Sequence, residues 1–285
     1  MVPAGIAWTH RRDEAENVDI YFLANPTPEA RDFTVSLRTA GRVPELWDAQ
    51  TGEIADAAGW RVTDGRTEVP VRLTADGSVF VVFRRDGVPT AETPAAERRL
   101  TVDLDLLRTG DWWMTFDLGS EGVRTERAAN LFDWSQSADD RLRYYSGTVT
   151  CRTTFRWKNR RARRVVLELG EVHDVAAVRV NGKPCGTAWT APYEVDVTEA
   201  LQQGDNTIVI EVSNTWANAL LGAESGHAPF RGIWTNALYR RREQTLLPAG
   251  LTGELRLRAT EPLTKQQVQA ERKRAAAAAK RTRRD

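Results

Sequence analysis

Residues 175–186 read VAAVRVNGKPCG. Val178 and Val180 flank Arg179, the alternation of a half-buried strand, and the run stops at Asn181-Gly182. An Asn-Gly pair after alternating apolar residues specifies a two-residue type I′ hairpin, because both central residues must take positive φ. The sheet is therefore antiparallel here. Downstream, Gly204-Asp205-Asn206 is another turn signal, followed by the alternating run TIVIEVSN at 207–214.

The same pattern extends outward over most of the chain. Residues 19–25 form a strand that stops at Pro26-Thr27-Pro28, and Phe33, Val35 and Leu37 alternate with polar residues. Residues 45–48 end at the turn Thr51-Gly52, and Val69, Val71 and Leu73 alternate again. After Asp76-Gly77, residues 79–83 are apolar on both faces, which predicts a central strand. Residues 86–99, DGVPTAETPAAERR, have no apolar period and read as a linker. Beyond them Leu100, Val102, Leu104 and Leu106 alternate with Thr101, Asp103 and Asp105; further strands are expected at 112–116, 144–155, 165–170 and 251–257. The set reaches about nine strands, enough for an eight-stranded jelly roll.

The expected fold is all-β: a small antiparallel sandwich over 1–85, a linker over 86–99, a jelly roll over 100–260 and a basic helical tail over 261–285. In the tail Thr264 and Gln267 fit a capping box, with Leu263 and Val268 as its staple. The helix behind them is polar all round and has no face to bury.

Charge and composition exclude several functions. Forty basic and 39 acidic side chains among 285 residues leave a net charge of +1, so attraction to nucleic acid is not the theme. The tail is basic, but its expected role is that of a solvated appendage. No apolar run is long enough for a membrane span, and MVPAGIAWTHRRDE lacks the pattern of a secretory signal. Two cysteines, Cys151 and Cys185, exclude a disulfide-rich scaffold and leave one pairing undecided. No phosphate-binding glycine loop and no Gly-x-Ser-x-Gly elbow occur. His10, His173 and His227 fit no metal spacing, and no EF-hand-like loop supports a calcium ion, so no cofactor is assigned.

Two groups of residues remain. Glu168, Asp103 and Asp105 lie on alternating strands, and a sandwich glycosidase could place two such carboxylates on neighbouring strands. The plainer reading makes them outward polar residues. The second group runs from 187 to 240: Trp189, Tyr193, Trp216, His227, Phe230, Trp234 and Tyr239, interleaved with Asn214, Asn218, Arg231 and Asn236. Aromatic plates beside amides and guanidinium groups suit sugar recognition, the plate meeting C–H faces and the polar groups bonding hydroxyls. The candidate carbohydrate-binding residues are Trp189, Tyr193, Asn214, Trp216, Asn218, His227, Arg231 and Trp234. Alternatively, Trp216 and Trp234 cap the sandwich core. The stretch 216–236 lacks alternation and is expected to be a long functional loop.

The segments VRVNGK at 178–183, PYEVDVT at 192–198 and GDN at 204–206 resemble the galactose-binding-like jelly roll of family 2 glycoside hydrolases. IYF at 20–22, PELWD at 44–48, GSVFVVF at 77–83, YSGT at 145–148 and Asn214-x-Trp216-x-Asn218 are similar to the C-terminal part of family 106 glycoside hydrolases, which are α-L-rhamnosidases. The resemblance implies a carbohydrate partner, an upstream (α/β) barrel carrying the catalytic carboxylates, and an extracytoplasmic parent. No residue of this chain inherits a catalytic role. Ala219 stands where the family has an arginine, and Ala223-Glu224 displaces its acidic residue. The expected function is a non-catalytic carbohydrate-binding portion of a glycoside hydrolase; the alternatives are hydrolysis by sandwich carboxylates and a purely structural interaction module.

Overall fold

The computed structural model describes residues 2–89, 99–104, 111–226, 233–236 and 245–262, with backbone alone at 99–104 and 262. The chain divides into two compact units, Met1–Glu97 and Arg98–Asp285. Both are built from antiparallel strands. Most of the expected linker, Asp105, Leu106 and the tail helix after Thr264 lie outside the described residues.

The first unit contains β1 (Ala7–Asp13), β2 (Val18–Ala24), β3 (Arg31–Leu37), β4 (Arg42–Asp48), β5 (Ile54–Asp56), β6 (Arg61–Thr63), β7 (Arg66–Leu73) and β8 (Ser78–Asp86). They form a five-stranded sheet, β1-β2-β8-β4-β5, and a three-stranded sheet, β3-β7-β6. β8 is central, as its two apolar faces require. Tyr21, Leu23, Val81 and Phe83 of the larger sheet pack with Val35, Leu37, Val69, Val71 and Leu73 of the smaller. Asn25 closes the Pro-Thr-Pro turn: its amide donates to the carbonyls of Glu29 and Thr74, and its oxygen accepts from the Thr27 hydroxyl. Glu45, buried on β4, accepts from Trp47 Nε1 at 2.9 Å, Arg84 Nε at 2.8 Å and Arg85. Burial alone would raise its carboxyl, but the bonds from Arg85, Trp47 and Arg84 outweigh it and hold the pKa below the ordinary carboxylate value.

The second unit contains β9 (Arg99–Leu104), β10 (Trp112–Asp117), β11 (Val123–Ala128), β12 (Thr148–Trp157), β13 (Arg164–Glu168), β14 (Glu171–His173), β15 (Val175–Val180), β16 (Lys183–Ala188), β17 (Glu194–Asp196), β18 (Gly204–Ser213), β19 (Gly250–Thr252) and β20 (Arg256–Pro262), with helices α1 (Asp140–Arg143) and α2 (Ala217–Glu224). A six-stranded sheet, β11-β10-β12-β18-β15-β16, faces a four-stranded sheet, β17-β13-β20-β9. Alternate residues of both sheets form one core: Met114, Phe116, Val149, Cys151, Val178, Ile208 and Ile210 from the first, Val165, Leu167, Leu257 and Ala259 from the second. Asn181 (φ 52°) and Gly182 (φ 79°) make the expected hairpin between β15 and β16.

Several boundaries differ from the sequence reading. The strand expected at 144–155 begins only at Thr148, because Tyr144 caps α1 and residues 145–147 form the connection. The run 251–257 is two strands, β19 and β20, separated at Gly253 (φ 81°). Gly253 meets Gly170 there, and a Cβ on Gly170 would come within 2.5 Å of the Thr252 carbonyl oxygen. Residues 261–262 end β20 rather than beginning the tail. The stretch expected as a long loop from Trp216 starts with α2, whose alanines and leucines favour a helix and whose burial on most sides hides any amphipathic period.

Asn206 is buried, and its side chain bonds Asn181, both backbone groups of Gln202 and the Gly204 carbonyl; replacing it with Ala removes all four bonds and should lower unfolding free energy by about 2–3 kcal/mol in urea titration. For Glu45, the lowered folded pKa means its contribution is present above the ordinary carboxylate value and is lost as pH falls through the folded value. Glu45→Gln should therefore be less stable than wild type at neutral pH, with the gap in calorimetric Tm shrinking on acidification.

Candidate functional site

Strand register decides which loops meet. In the six-stranded sheet Val175 and Thr148 both stand opposite Ser213, Ala176 opposite Ala188, and Phe116 opposite Val149. The starts of β12 and β15 and the ends of β10, β16 and β18 thus share one end of the sheet. The Asn181-Gly182 turn lies at the other.

Four of the residues expected from sequence leave the sheet at this loop end: Trp189 and Tyr193 after β16, Asn214 and Trp216 after β18. β16 and β18 flank β15, so their ends are roughly 10 Å apart at the usual strand spacing. Trp189, Trp216 and Trp234 are 59%, 68% and 78% exposed. Trp216 and Trp234 therefore do not cap the core; buried Trp134 does, with its ring edge-on to Phe116 and Tyr145. Tyr193 is half-buried against the core. His227 and Arg231, with Phe230 and Tyr239, lie outside the described residues.

The two asparagines hold backbone. Asn214 accepts from the Gly147 N–H at 2.9 Å and donates to the Tyr145 carbonyl at 2.9 Å. Asn218, buried on α2, donates to the Leu247 carbonyl at 2.8 Å and accepts from the Leu247 N–H at 2.9 Å. Ser146 Oγ accepts from the Ala219 N–H, and Asp133 accepts from the N–H groups of Ser135 and Ala249. These bonds fasten α2, the 144–147 connection, the 133–135 turn and the 245–249 segment together.

Between those segments lies a polar cleft of about 680 Å³, lined by Ser135, Gln136, Arg143, Tyr144, Leu221, Glu224, Ser225, Thr245 and Leu246. None of the six described candidates lines it, although Asn218 joins two of its walls. In the sequence Tyr144 opens the strand expected at 144–155 and Arg143 stands just before it, so the pair carries no separate signal. The Arg143 guanidinium lies 5.9 Å from the Tyr144 ring centroid. Nearby, Asp139 caps α1, and hydrogen bonds from Arg141 and then Arg124 hold its carboxyl far below the usual range despite burial.

Of the carboxylates considered for hydrolysis, only Glu168 has a described side chain. Glu168 is half-buried on β13, in an ion pair with Arg258. Asp103 is placed by backbone alone on β9, and Asp105 is not described. Cys151 is buried and Cys185 half-buried, both as free thiols, and burial pushes the Cys151 pKa up to about 12. Among the described residues no cluster of His, Cys, Asp or Glu could hold a metal ion, and no helix is long and apolar enough to cross a membrane.

Residues 2–61 match the family model for α-L-rhamnosidase, glycosyl hydrolase family 106. Residues 128–246 match the glycosyl hydrolase 2 galactose-binding domain-like model. A curated protein of Formosa agariphila, named as a β-glucuronidase, is 32% identical over 127 residues, covering 44% of this chain and 11% of that protein. The solved rhamnosidase from Novosphingobium sp. PP1Y is 34% identical with a TM-score of 0.76, covering 90% of this chain and 24% of that one. The chain thus spans about a quarter of the solved relative and about a tenth of the curated one. It resembles the β-sandwich region of family 106 glycoside hydrolases, with a galactose-binding-like domain of the family 2 type.

Asn218→Ala should loosen both walls it joins. The expected result is a loss of about 2–3 kcal/mol in stability together with faster hydrogen exchange of the Leu247 amide than of core amides in β18.

Proposed function

We propose that this chain is the non-catalytic, carbohydrate-binding portion of a larger glycoside hydrolase of the α-L-rhamnosidase type, working with a catalytic barrel encoded upstream. The observation that carries the reading is the composition of the loop-end cleft. Among the described residues one carboxylate, Glu224, lines it, whereas glycosidases ordinarily need two carboxylates about 5–10 Å apart. The remaining lining suits binding. Tyr144 offers a ring face, Leu221 and Leu246 an apolar wall for C–H groups or a deoxysugar methyl. Arg143, Gln136, Ser135, Ser225 and Thr245 offer hydroxyl partners. The exposed plates of Trp189, Trp216 and Trp234 extend the surface for a longer glycan, and His227 and Arg231 belong to the same proposed surface by sequence. Asn214 and Asn218 take a supporting place in it, holding the walls.

The test uses the full chain. Calorimetric titration with a rhamnosyl oligosaccharide should show binding that Tyr144→Ala and Arg143→Ala each weaken about tenfold, the scale of a charged hydrogen bond. Trp216→Ala and Trp234→Ala should weaken binding of the longer oligosaccharide more than that of the disaccharide. No sugar should be released from an aryl α-L-rhamnoside. Release at ordinary turnover, abolished by Glu168→Gln, would replace this reading with sandwich hydrolysis; absence of binding across a glycan array would replace it with a structural interaction module.

A further inference from the structure

The two sheets of the first unit differ in width, and the difference leaves part of the wider sheet uncovered. His10 of β1 stands opposite Tyr21 of β2, and their rings stack at 4.1 Å with 12° between planes. Tyr21 is in the core. Trp8 and His10 alternate onto that same inner face, yet Trp8 is 52% exposed and β1 is exposed along nearly its whole length. The uncovered face forms one wall of a crevice of about 660 Å³, lined by Val2, Trp8, His10, Tyr21, Ser36, Leu37, Arg38 and Arg66. That volume falls within the roughly 300–1,000 Å³ of small-ligand sites.

Its electrostatics are one-sided. Among the described residues no acidic side chain lines the crevice. Neighbouring arginines have carboxylate partners: Arg12 and Arg42 on Asp19, Arg84 and Arg85 on Glu45, Arg61 on Glu68. Among the described residues, by contrast, no carboxylate pairs with Arg38 or Arg66. Arg66 is nonetheless held in place, its Nε donating to Ser36 Oγ at 2.8 Å and a second guanidinium nitrogen to the Ser36 carbonyl at 2.7 Å. His10 is fixed by Asp19 at 2.9 Å and by the Tyr21 ring.

We infer that this crevice is a second saccharide site, distinct from the cleft of the other unit, and that it takes an acidic sugar, a uronate residue of a glycan. A uronate combines what the lining asks for: a pyranose C–H face for the exposed Trp8 plate and a planar carboxylate for guanidinium groups with no internal counter-ion. A peptide carboxylate would meet the charge and leave the plate without a ring.

Titration of the full chain with trigalacturonate, and with the same trisaccharide as its methyl ester, tests the inference. The free acid should bind, and the ester about tenfold more weakly or less, as expected for loss of a charge-assisted pair. Arg38→Gln and Trp8→Ala, both at exposed positions and checked by unchanged melting, should each cost about tenfold in binding of the free acid. Saturating rhamnosyl disaccharide should leave the trigalacturonate isotherm unchanged, so failure of the cleft reading and failure of this one remain separable. Equal binding of acid and ester, no binding of the acid, insensitivity to both substitutions, displacement by the rhamnosyl disaccharide, or equally tight binding of hexaglutamate would each overturn the inference.

Discussion

Asn181 Nδ2 donates to Asn206 Oδ1 at 2.8 Å, and this contact between two side-chain amides fixes the second unit. Asn181 also donates to the Ala200 carbonyl and accepts from the Thr207 N–H, while Asn206 bonds both backbone groups of Gln202 and the Gly204 carbonyl. The pair joins the hairpin tip, the start of β18 and the turn before it. In a sheet with one face buried, a slip of one residue would turn every core side chain outward. Locking β15 to β18 at one end therefore sets where the strands stop at the other, and that determines which loops stand beside one another. Asp196 and Thr198 add a second fastening: Thr198 bonds Asp196 and the Val165 N–H. Burial would raise the Asp196 carboxyl, but Thr198 and Arg164 hold it low.

Features that local backbone chemistry demands were readable without coordinates. Asn-Gly can do little else between two strands, an apolar run polar on neither face must be central, and a Pro-Thr-Pro stretch ends a ladder for want of N–H groups. What escaped was decided by tertiary contacts. α2 is eight residues long, has no side-chain cap and is buried over Ala217–Leu220, so neither capping nor periodicity announces it. Residues 144–147 are rich in aromatic and small residues and match a strand by composition; the cap on α1 and the bonds from Asn214 remove them from the ladder. The break at Gly253 depends on Gly170, distant in sequence.

The candidate residues divide in the structure between exposed aromatics and amides bound to backbone. Trp189, Trp216 and Trp234 are exposed as a sugar-facing plate must be. Asn214 and Asn218, in the same stretch, face the backbone. An amide aimed at a hydroxyl and an amide closing a loop are the same letter in a sequence, and buried loop backbone recruits such side chains because its own donors and acceptors must be paired. Arg143 and Tyr144 stood seventy residues away from that stretch, and register alone brings them to the same end.

Charge distribution supports the proposed binding role. A general acid in glycoside hydrolysis needs a carboxyl whose pKa has been pushed up, toward the working pH, by burial or by another carboxylate. Among the described residues, the carboxylates with a perturbed proton affinity, Glu45, Asp139 and Asp196, all move the other way. In each, donors from arginine, tryptophan or threonine overcome the effect of burial. A carboxylate held so fully ionised is a poor proton donor and a good fastener, because its charge is compensated where it stands. Arg38 and Arg66 differ from these fastened carboxylates: among the described residues no carboxylate pairs with either, and they line a crevice beside the exposed Trp8 ring.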